Sequence, residues 1–490
     1  MTEQKKPPYG IIAILFTGAF VAIFTQTLLN IALPSIMTDL KIEASTAQWL
    51  ITGYMLVNGI LIPASAYFIQ RYSNRSIFIL AMSLFALGTL LAGLAPTFAV
   101  LLAARMIQAS GSALMMPLLM NVILVAFPVE RRGSAMGIFG LVMIVAPAIG
   151  PTLSGYIVEH YSWRVLFFII LPLALIPLAL GIFKLKNLTF QNRELSLDKA
   201  SIALSSLGFG GILYGFSAAG QNGWSDPFVI GTITVGVVSL VTFIFRQLKL
   251  KEPLLEFRIY KYPMFALSSA ISIVVSMSMF SAMILMPIYV QTIKGISPID
   301  SGLLMLPGAL LMGVMSPITG KLFDKYGAKV LAITGMSIVV ISTYFFSDLS
   351  METTYLQIMG IYTIRMFGIS MVMMPVMTNG LNTLPMKAYP HGTAMNNTLQ
   401  QVSGAIGSAL LITIMNTRTT SAAKDLVLSG ADPTNILKTS MLEGINYTFF
   451  ISTFIAAIAL LLTLFIKKPT RVVTEVEKDQ VYKQQPVTES

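Results

Sequence analysis

Apolar runs of a length near 20 residues recur along the whole chain, separated by short polar segments. Fourteen can be traced, starting near Gly10, Ala47, Ser76, Ala99, Ser134, Val165, Ala200 and Pro227, and then near Met264, Ser301, Lys329, Tyr355, Gly392 and Asn446. A helix of about 20 residues matches the hydrocarbon thickness of a bilayer. Lipid offers no partner to a free backbone N–H or C=O, so each run is predicted to be a spanning α-helix. Pro117, Pro147, Pro151, Pro287, Pro307 and Pro375 fall inside these runs; membrane helices tolerate such residues where neighbours satisfy the freed groups. The opening MTEQKKPPYG leads into an apolar run too long for a signal-peptide core, with no A-x-A-like site after it. It reads as an uncleaved first helix.

Composition agrees with the pattern. The chain of 490 residues is 55% hydrophobic and only 11% charged, where a soluble domain carries about 25% charged residues. The expected fold class is an all-α polytopic membrane protein with fourteen transmembrane helices. A net charge of +11 would suit a nucleic-acid binder, but the Lys and Arg lie in short loops between spans, so no nucleic acid is expected. Most of them fall on one side, among them Lys5, Lys6, Arg71, Arg75, Arg131, Arg132, Arg246, Lys249, Lys251, Lys321, Lys325 and Lys329. The positive-inside rule then puts both termini in the cytoplasm of a cell-membrane protein. The tail 469–490 is polar and charged and is expected to be disordered. Cysteine is absent, and the two histidines, His160 and His391, are far apart in sequence. No metal site and no cofactor is expected.

The chain repeats itself. "AYFIQRYSNR" (66–75) aligns without gaps to "GKLFDKYGAK" (320–329) at an offset of 254, pairing Gln70 with Asp324, Arg71 with Lys325 and Arg75 with Lys329. "MMPLLMN" (115–121) aligns to "MMPVMTN" (373–379), and an intramembrane arginine precedes each, Arg105 and Arg365, with a two-residue slip. Helices 1–6 thus correspond to helices 9–14, with helices 7 and 8 inserted. The expected division is a first six-helix bundle at 1–190, an inserted pair with cytoplasmic linkers at 191–262, and a second six-helix bundle at 263–468. Parallel repeats of this kind belong to transporters that bind substrate between their halves.

Five motifs in order give the chain a family likeness. The loop pattern G-x-x-x-D-R/K-x-G-R-R/K is degenerate in the 66–75 copy and better kept in the 320–329 copy. R-x-x-Q-G is similar to "ARMIQASGSA", with Arg105 and Gln108 in register. A G-P-x-x-G-G type pattern is similar to "APAIGPTLSG", with Pro147, Gly150, Pro151 and Gly155. N-T-x-R-Q-L-G-G-x-x-G is close to "NNTLQQVSGAIG", and D-x-T-x-x-N-x-A-L-P to residues 25–34. The sequence therefore resembles the major facilitator superfamily, in its fourteen-helix drug:proton antiporter branch (QacA/EmrB type), and most closely the lincosamide-type multidrug exporters. The resemblance implies proton-coupling or gating roles for Arg105, Asp324, Arg365, Pro147, Gly150, Pro151 and Gly155. It also implies a conformational latch at Gln70, Arg71, Arg75, Asp324, Lys325 and Lys329, against the plainer reading of these charges as topology signals. Gln70 cannot act as an acid, so such a latch is expected to rest on Asp324.

The residues themselves outline a cavity. Gln26 and Asn30 share a face of helix 1, as Asn396 and Gln400, and Asn397 and Gln401, do on helix 13. Amides so dense either line a cavity or hydrogen-bond helices together. Thr25, Asn58, Gln108 and Asn121 join them as candidates, with Met116 and Met374 as pliant apolar walls. No Asp or Glu falls well inside any run, and Thr25 stands where the helix 1 signature has its acid. A permanent cation would lose its hydration there without compensation.

The function expected is export of hydrophobic or amphipathic drugs, neutral or weakly charged, by alternating access and driven by protons; nothing resembles an ATP-binding G-K-[ST] loop. Asp324, Glu159 and His160 are the candidate proton carriers. Export of an endogenous lipid or metabolite is the alternative within transport, and a membrane sensor or scaffold the alternative outside it. An enzyme is not expected, since no clustered nucleophiles or acids occur. The expected partners are small-molecule drugs and the lipid bilayer, with the protein a monomer.

Overall fold

The computed structural model describes residues 9–42, 44–188, 191–192, 194, 198–428 and 433–467; the tail 469–490 lies outside them. The protein is all-α and polytopic. Fourteen long helices follow one another: α1 (Tyr9–Leu40), α2 (Ala44–Arg71), α3 (Asn74–Gly93), α4 (Phe98–Ala126), α5 (Arg132–His160), α6 (Arg164–Lys184), α7 (Lys199–Asn222), α8 (Pro227–Lys249), α9 (Pro263–Ile288), α10 (Pro298–Tyr326), α11 (Ala328–Phe345), α12 (Tyr355–Leu381), α13 (Tyr389–Leu428) and α14 (Pro433–Thr463). Among the described residues, eleven helical segments are long and apolar enough to cross a membrane.

Local chemistry sets the helix ends. Ser73 accepts from the Ser76 amide at the start of α3. Asp226 accepts from the Phe228 and Val229 amides, ahead of Pro227 in the first turn of α8. Thr354 and Gln357 form a reciprocal capping box on α12. Each satisfies donors that a helix start leaves open. Gly327 alone separates α10 from α11, at φ 79°, a left-handed conformation that glycine adopts without steric cost. The glycine of "GKLFDKYGAK" is therefore the hinge of a one-residue turn.

The internal repeat is visible in the packing. Within α1–α6, α1 packs on α4, α5 and α6, α2 on α4, and α3 on α4 and α6. Each pairing recurs eight helices later: α9 on α12, α13 and α14, α10 on α12, and α11 on α12 and α14. Contacts between the two groups are also paired, α5 with α10 against α13 with α2, and α5 with α12 against α13 with α4. The inserted α7 packs on α8, α2 and α13. The outer α8 buries a stripe of Val229, Gly236, Ser239, Phe243 and Gln247 and exposes Phe228, Val235, Val238 and Phe245, as a lipid-facing helix does. Arg246 clamps Asp198 through two hydrogen bonds (2.7 and 3.1 Å). The guanidinium holds the Asp198 carboxyl down at about 2, so the pair stays ionised at physiological pH.

The most extensive helix pair is α5 with α10, and it joins the two groups. Gly133, Gly137 and Gly140 of α5 face Ser316, Pro317 and Gly320 of α10. Lipid supplies no hydrophobic drive between helices, so association relies on close packing of small residues. A Cβ on Gly320 would strike the Gly133 carbonyl and lie 3.1 Å from the Gly137 Cα, whereas one on Gly302, in the first turns of the same helix, meets nothing within 4 Å. Gly320→Val is therefore expected to destabilise the protein by about 1–3 kcal/mol, with Gly302→Val close to the parent. Thermal unfolding in detergent checks this; equal melting of the two variants would mean that the seam does not hold the groups together.

Candidate functional site

The hydrogen bonds joining α1–α6 to α9–α14 gather at one end of the molecule, where α2, α4, α10 and α12 finish and α5 and α13 begin. Asp324, in the last turn of α10, accepts from the Gly133 amide (2.8 Å), the Ser134 amide (2.9 Å) and the Ser134 hydroxyl (2.6 Å). The carboxylate thus caps the first turn of α5, where backbone N–H groups lack helical partners and the helix dipole favours negative charge.

The matching position of the other repeat is built differently. Gln70, in the last turn of α2, places Nε2 2.9 Å from Nε2 of His391 in the first turn of α13. Between these junctions lies Arg132. It donates to Asn382 Oδ1 (3.0 Å) and Tyr389 Oη (2.9 Å) across the groups, and to the Leu124 and Phe127 carbonyls (2.6 and 3.1 Å) within its own. Its guanidinium also lies over the Tyr389 ring, 5.0 Å from the centroid. In the sequence alone, Arg132 reads as a topology signal and His391 as an isolated residue. Of the other expected latch residues, Arg75 donates to the Ile182 carbonyl inside the first group (2.7 Å). Arg71 and Lys325 each lie over the neighbouring tyrosine ring, and Lys329 is exposed.

Two arginines sit deep within the helices. Arg105 is 1% exposed and Arg365 0%, which excludes snorkelling for both. Arg105 donates to Gln108, whose amide donates to Thr89 of α3 (2.7 Å), and its guanidinium stacks 4.2 Å from the Tyr54 centroid. Arg365 donates to Thr343 of α11 (3.1 Å) and to the Ser278 carbonyl and hydroxyl of α9. The pair is symmetric in the repeat, since Thr89 and Thr343 stand at the same offset as Gln70 and Asp324. Each guanidinium keeps one nitrogen without a partner, Nε of Arg105 and Nη1 of Arg365, and every acceptor found is neutral. Gln108 is therefore a support for Arg105.

A narrow cleft, open on one side, lies between α9, α12 and α13; about 330 Å³ of space falls within it only when the adjoining open solvent is counted. It is lined by Ile271, Ser272, Val275 and Ser276 of α9, Val372, Met373, Val376 and Met377 of α12, and Asn396 and Gln400 of α13. No charged side chain lines it. Of the expected cavity residues, Asn396 and Gln400 are here. Asn397 turns instead to the Thr393 carbonyl (2.8 Å) and to Met120 Sδ of α4 (3.1 Å), and Gln401 is half-buried. The methionines at the wall are Met373 and Met377. Met374 lies one residue round the helix, against Gly140 of α5, and Met116 packs on the apolar core of the first group. Asn58 and Asn121 are buried, each with Oδ1 unpartnered. Thr25 is buried with its hydroxyl on the Val21 carbonyl (2.8 Å), and Gln26 is half-buried. The side chains of Asn30, Pro147 and Pro151 lie outside the described residues.

On α5 the structure separates two tasks. Gly150 packs on Thr27 of α1, and Ser154 donates to the Leu28 carbonyl (2.6 Å), so this part of α5 seats α1; a Cβ on Gly155 would meet nothing within 4 Å. The approach to the other group lies nearer the start of α5, at Gly133, Gly137 and Gly140. The signal for it was present as G-x-x-x-G in "GSAMG" and S-x-x-x-G in "SPITG". At the far end, ion pairs stay within each group. Arg164 of α6 binds Asp39 of α1 (2.6 Å), and Arg418 of α13 binds Glu443 of α14. Hydrogen bonds from Arg164 and Trp163 hold the Asp39 carboxyl below its usual range. Glu159 and His160 are exposed there, with His160 Nδ1 on the Tyr156 carbonyl (2.9 Å). Among the described residues, no cluster of His, Cys, Asp or Glu could hold a metal ion.

This architecture has known relatives. The chain is 49% identical over 418 residues to an uncharacterized MFS-type transporter, YhcA, of Bacillus subtilis, covering 85% of this chain and 78% of that one. It is 45% identical over 469 residues to the lincomycin resistance protein LmrB of the same organism, covering 95% and 97%. Among solved structures, the human organic anion transporter MFSD10 superposes with a TM-score of 0.62 at 12% identity, over 92% of this chain and 100% of that one; at such identity it speaks for the fold alone. The sequence profile of the Major Facilitator Superfamily matches residues 15–408, and the chain belongs to that family of membrane transporters.

Proposed function

We propose that the protein exports neutral or weakly charged, hydrophobic or amphipathic drugs across the cell membrane by alternating access, in exchange for protons. The observation that carries this reading is the cleft between α9, α12 and α13, whose lining mixes hydroxyls and amides with methionine and aliphatic groups and holds no charge. Thioethers adapt to varied apolar shapes, while Ser and amide groups orient a polar edge. The near full-length similarity to a lincomycin resistance protein supports a drug of this kind. In this reading all fourteen helices span, both termini are cytoplasmic, and residues 1–190 and 263–468 form two six-helix bundles flanking the inserted segment 191–262. The protein works as a monomer in the lipid bilayer. The junction at Asp324, Gln70 and Arg132 is the cytoplasmic seal, closed in this structure, and Arg105 and Arg365 take part in proton coupling.

A resistance profile in a pump-deficient host tests the substrate class. Protection is expected to be stronger against lincosamides and phenicols than against ethidium and quaternary ammonium compounds, and the reverse order would sink the proposal. Gln400→Ala is expected to weaken efflux of a lincosamide a few-fold to about tenfold, the worth of one hydrogen bond of about 0.5–1.5 kcal/mol. An unchanged half-saturating concentration would remove Gln400 from the site.

The arginines can be tested separately. Their partners are acceptors, so Arg→Met removes an expensive charge, of about 2.5–3.5 kcal/mol at a helix centre, and leaves no buried donor stranded. Arg105→Met and Arg365→Met leave buried acceptors unpaired and are expected to lose about 1–3 kcal/mol of stability, remain folded, and lose efflux driven by an imposed pH gradient in proteoliposomes. Retained gradient-driven efflux would show that the arginines serve packing only.

A further inference from the structure

We propose that His391 makes the cytoplasmic seal sensitive to protons: the neutral imidazole closes the junction between α2 and α13, and the imidazolium opens it. This rests on the alternating-access reading above, and it places the proton-responsive group at the seam between the halves.

The first ground is symmetry. A short 3-10 turn after Pro128 leads into α5, and one after Pro385 leads into α13. Counting from the two prolines, His391 occupies the place of Ser134. Ser134 and its amide are held by Asp324; His391 is held by Gln70, the aligned residue of the other repeat. One seal is thus a carboxylate on a helix start. The other is an amide on an imidazole, a side chain whose ordinary titration falls between pH 5 and 8.

The second ground is the hydrogen-bond balance. His391 is 7% exposed. Gln70 also uses Nε2 to donate to the Ala66 carbonyl (3.1 Å), which turns its amide N–H face toward the ring. From the linker before α9, the Glu256 amide donates to Nδ1 (3.3 Å), and the Leu254 carbonyl lies beside the ring. A neutral imidazole has one donor and one acceptor nitrogen, and an imidazolium has two donors. The neutral ring can accept from only one of the Gln70 and Glu256 donors, its N–H nitrogen turning to the Leu254 carbonyl; a second proton removes the last acceptor and sets a ring N–H against the Gln70 N–H.

Among the described residues, no carboxylate is hydrogen-bonded to the ring; Glu194 is exposed on the segment whose Asn192 amide donates to the Gln70 carbonyl (2.8 Å). On the linker, the Glu256 carboxylate accepts from the Arg258 amide (3.0 Å) and its guanidinium (3.4 Å). Arg71 adjoins Gln70 at the end of α2, Lys387 precedes α13, and Arg132 reaches from α5 to Tyr389, two residues from His391. The linker is in turn tied to the inserted helices: Gln247 of α8 accepts from the Leu254 amide (2.6 Å) and donates to Ser201 of α7. The inserted pair thereby presents Leu254 and Glu256 to the ring.

The chain contains no cysteine, so a Tyr72→Cys/Lys387→Cys pair can carry spin probes flanking the junction without further changes. Distances are read in proteoliposomes from pH 8 to 5. The parent is expected to shift from a short to a long distance as pH falls, with the open-to-closed ratio rising by up to about tenfold per pH unit, the limit for one proton. His391→Gln is expected to stay short throughout. Gln70→Asp supplies a partner for the imidazolium and is expected to reverse the sign, closing as pH falls. The same pH response in His391→Gln as in the parent, or no response in the parent, would overturn the proposal. Drug efflux is followed in the same vesicles. Its absence at every pH, with the distance response intact, would count against the transport reading and leave the seal standing.

Discussion

The junction between the two groups of helices centres on the Asp324 carboxylate over the first turn of α5, with the glycine seam beside it. In water, apolar faces would drive two halves of this size together. In lipid they do not, since the tails are as apolar as the side chains. What remains is close backbone approach, made possible by Gly133, Gly137 and Gly320, and a charge placed where a helix start exposes N–H groups. A carboxylate at a helix N-terminus contributes about 0.3–1 kcal/mol, and up to about 2 when partly buried. A joint of this strength holds one arrangement and can also be broken within a transport cycle. The packing inside each group is extensive, so in the proposed cycle opening and closing would be concentrated at a few helix ends.

The two halves share the same helix pairings, but the two junctions between them have diverged. On one side a carboxylate meets backbone and hydroxyl donors. On the other, Gln70 meets His391, and Arg132 fills the space between with bonds to Asn382 and Tyr389. The buried arginines show the same mixture of symmetry and drift. Each reaches a threonine of the third helix in its half, Arg365 directly and Arg105 through Gln108. Symmetry fixes where a polar group stands, and the local sequence decides what chemistry it performs.

The sequence was most legible where one physical constraint acts on many residues. Span length and the repeat are summed over long stretches, so fourteen helices and their eight-helix offset could be read before any packing was known. The site was less legible because it turns on single angular steps. Met373 faces the cavity and Met374 does not, one residue apart on α12. Asn396 lines the cavity while Asn397 turns to Met120 of α4. A one-residue step is a rotation of about 100° on a helix, and composition does not determine which amide faces inward. His391 was the least legible. It is alone in its segment, and its meaning comes from Gln70, 321 positions away in the chain.

The absence of an interior acid bears on how coupling can work. Where a carboxylate lines a cavity, proton and cationic drug can compete for the same group, and exchange follows from that competition. Here the cavity wall offers only hydroxyls, amides and apolar groups, and the deep charges are guanidiniums held by neutral acceptors. A guanidinium does not deprotonate in proteins, so neither arginine can carry the proton itself. Under the proposed exchange, drug and proton have no shared ligand, and linkage between them would pass through the equilibrium between closed and open halves, each ligand favouring the state that holds it better. The groups able to bias that equilibrium are those that change partners when the halves part, and in this protein they are gathered around the starts of α5 and α13.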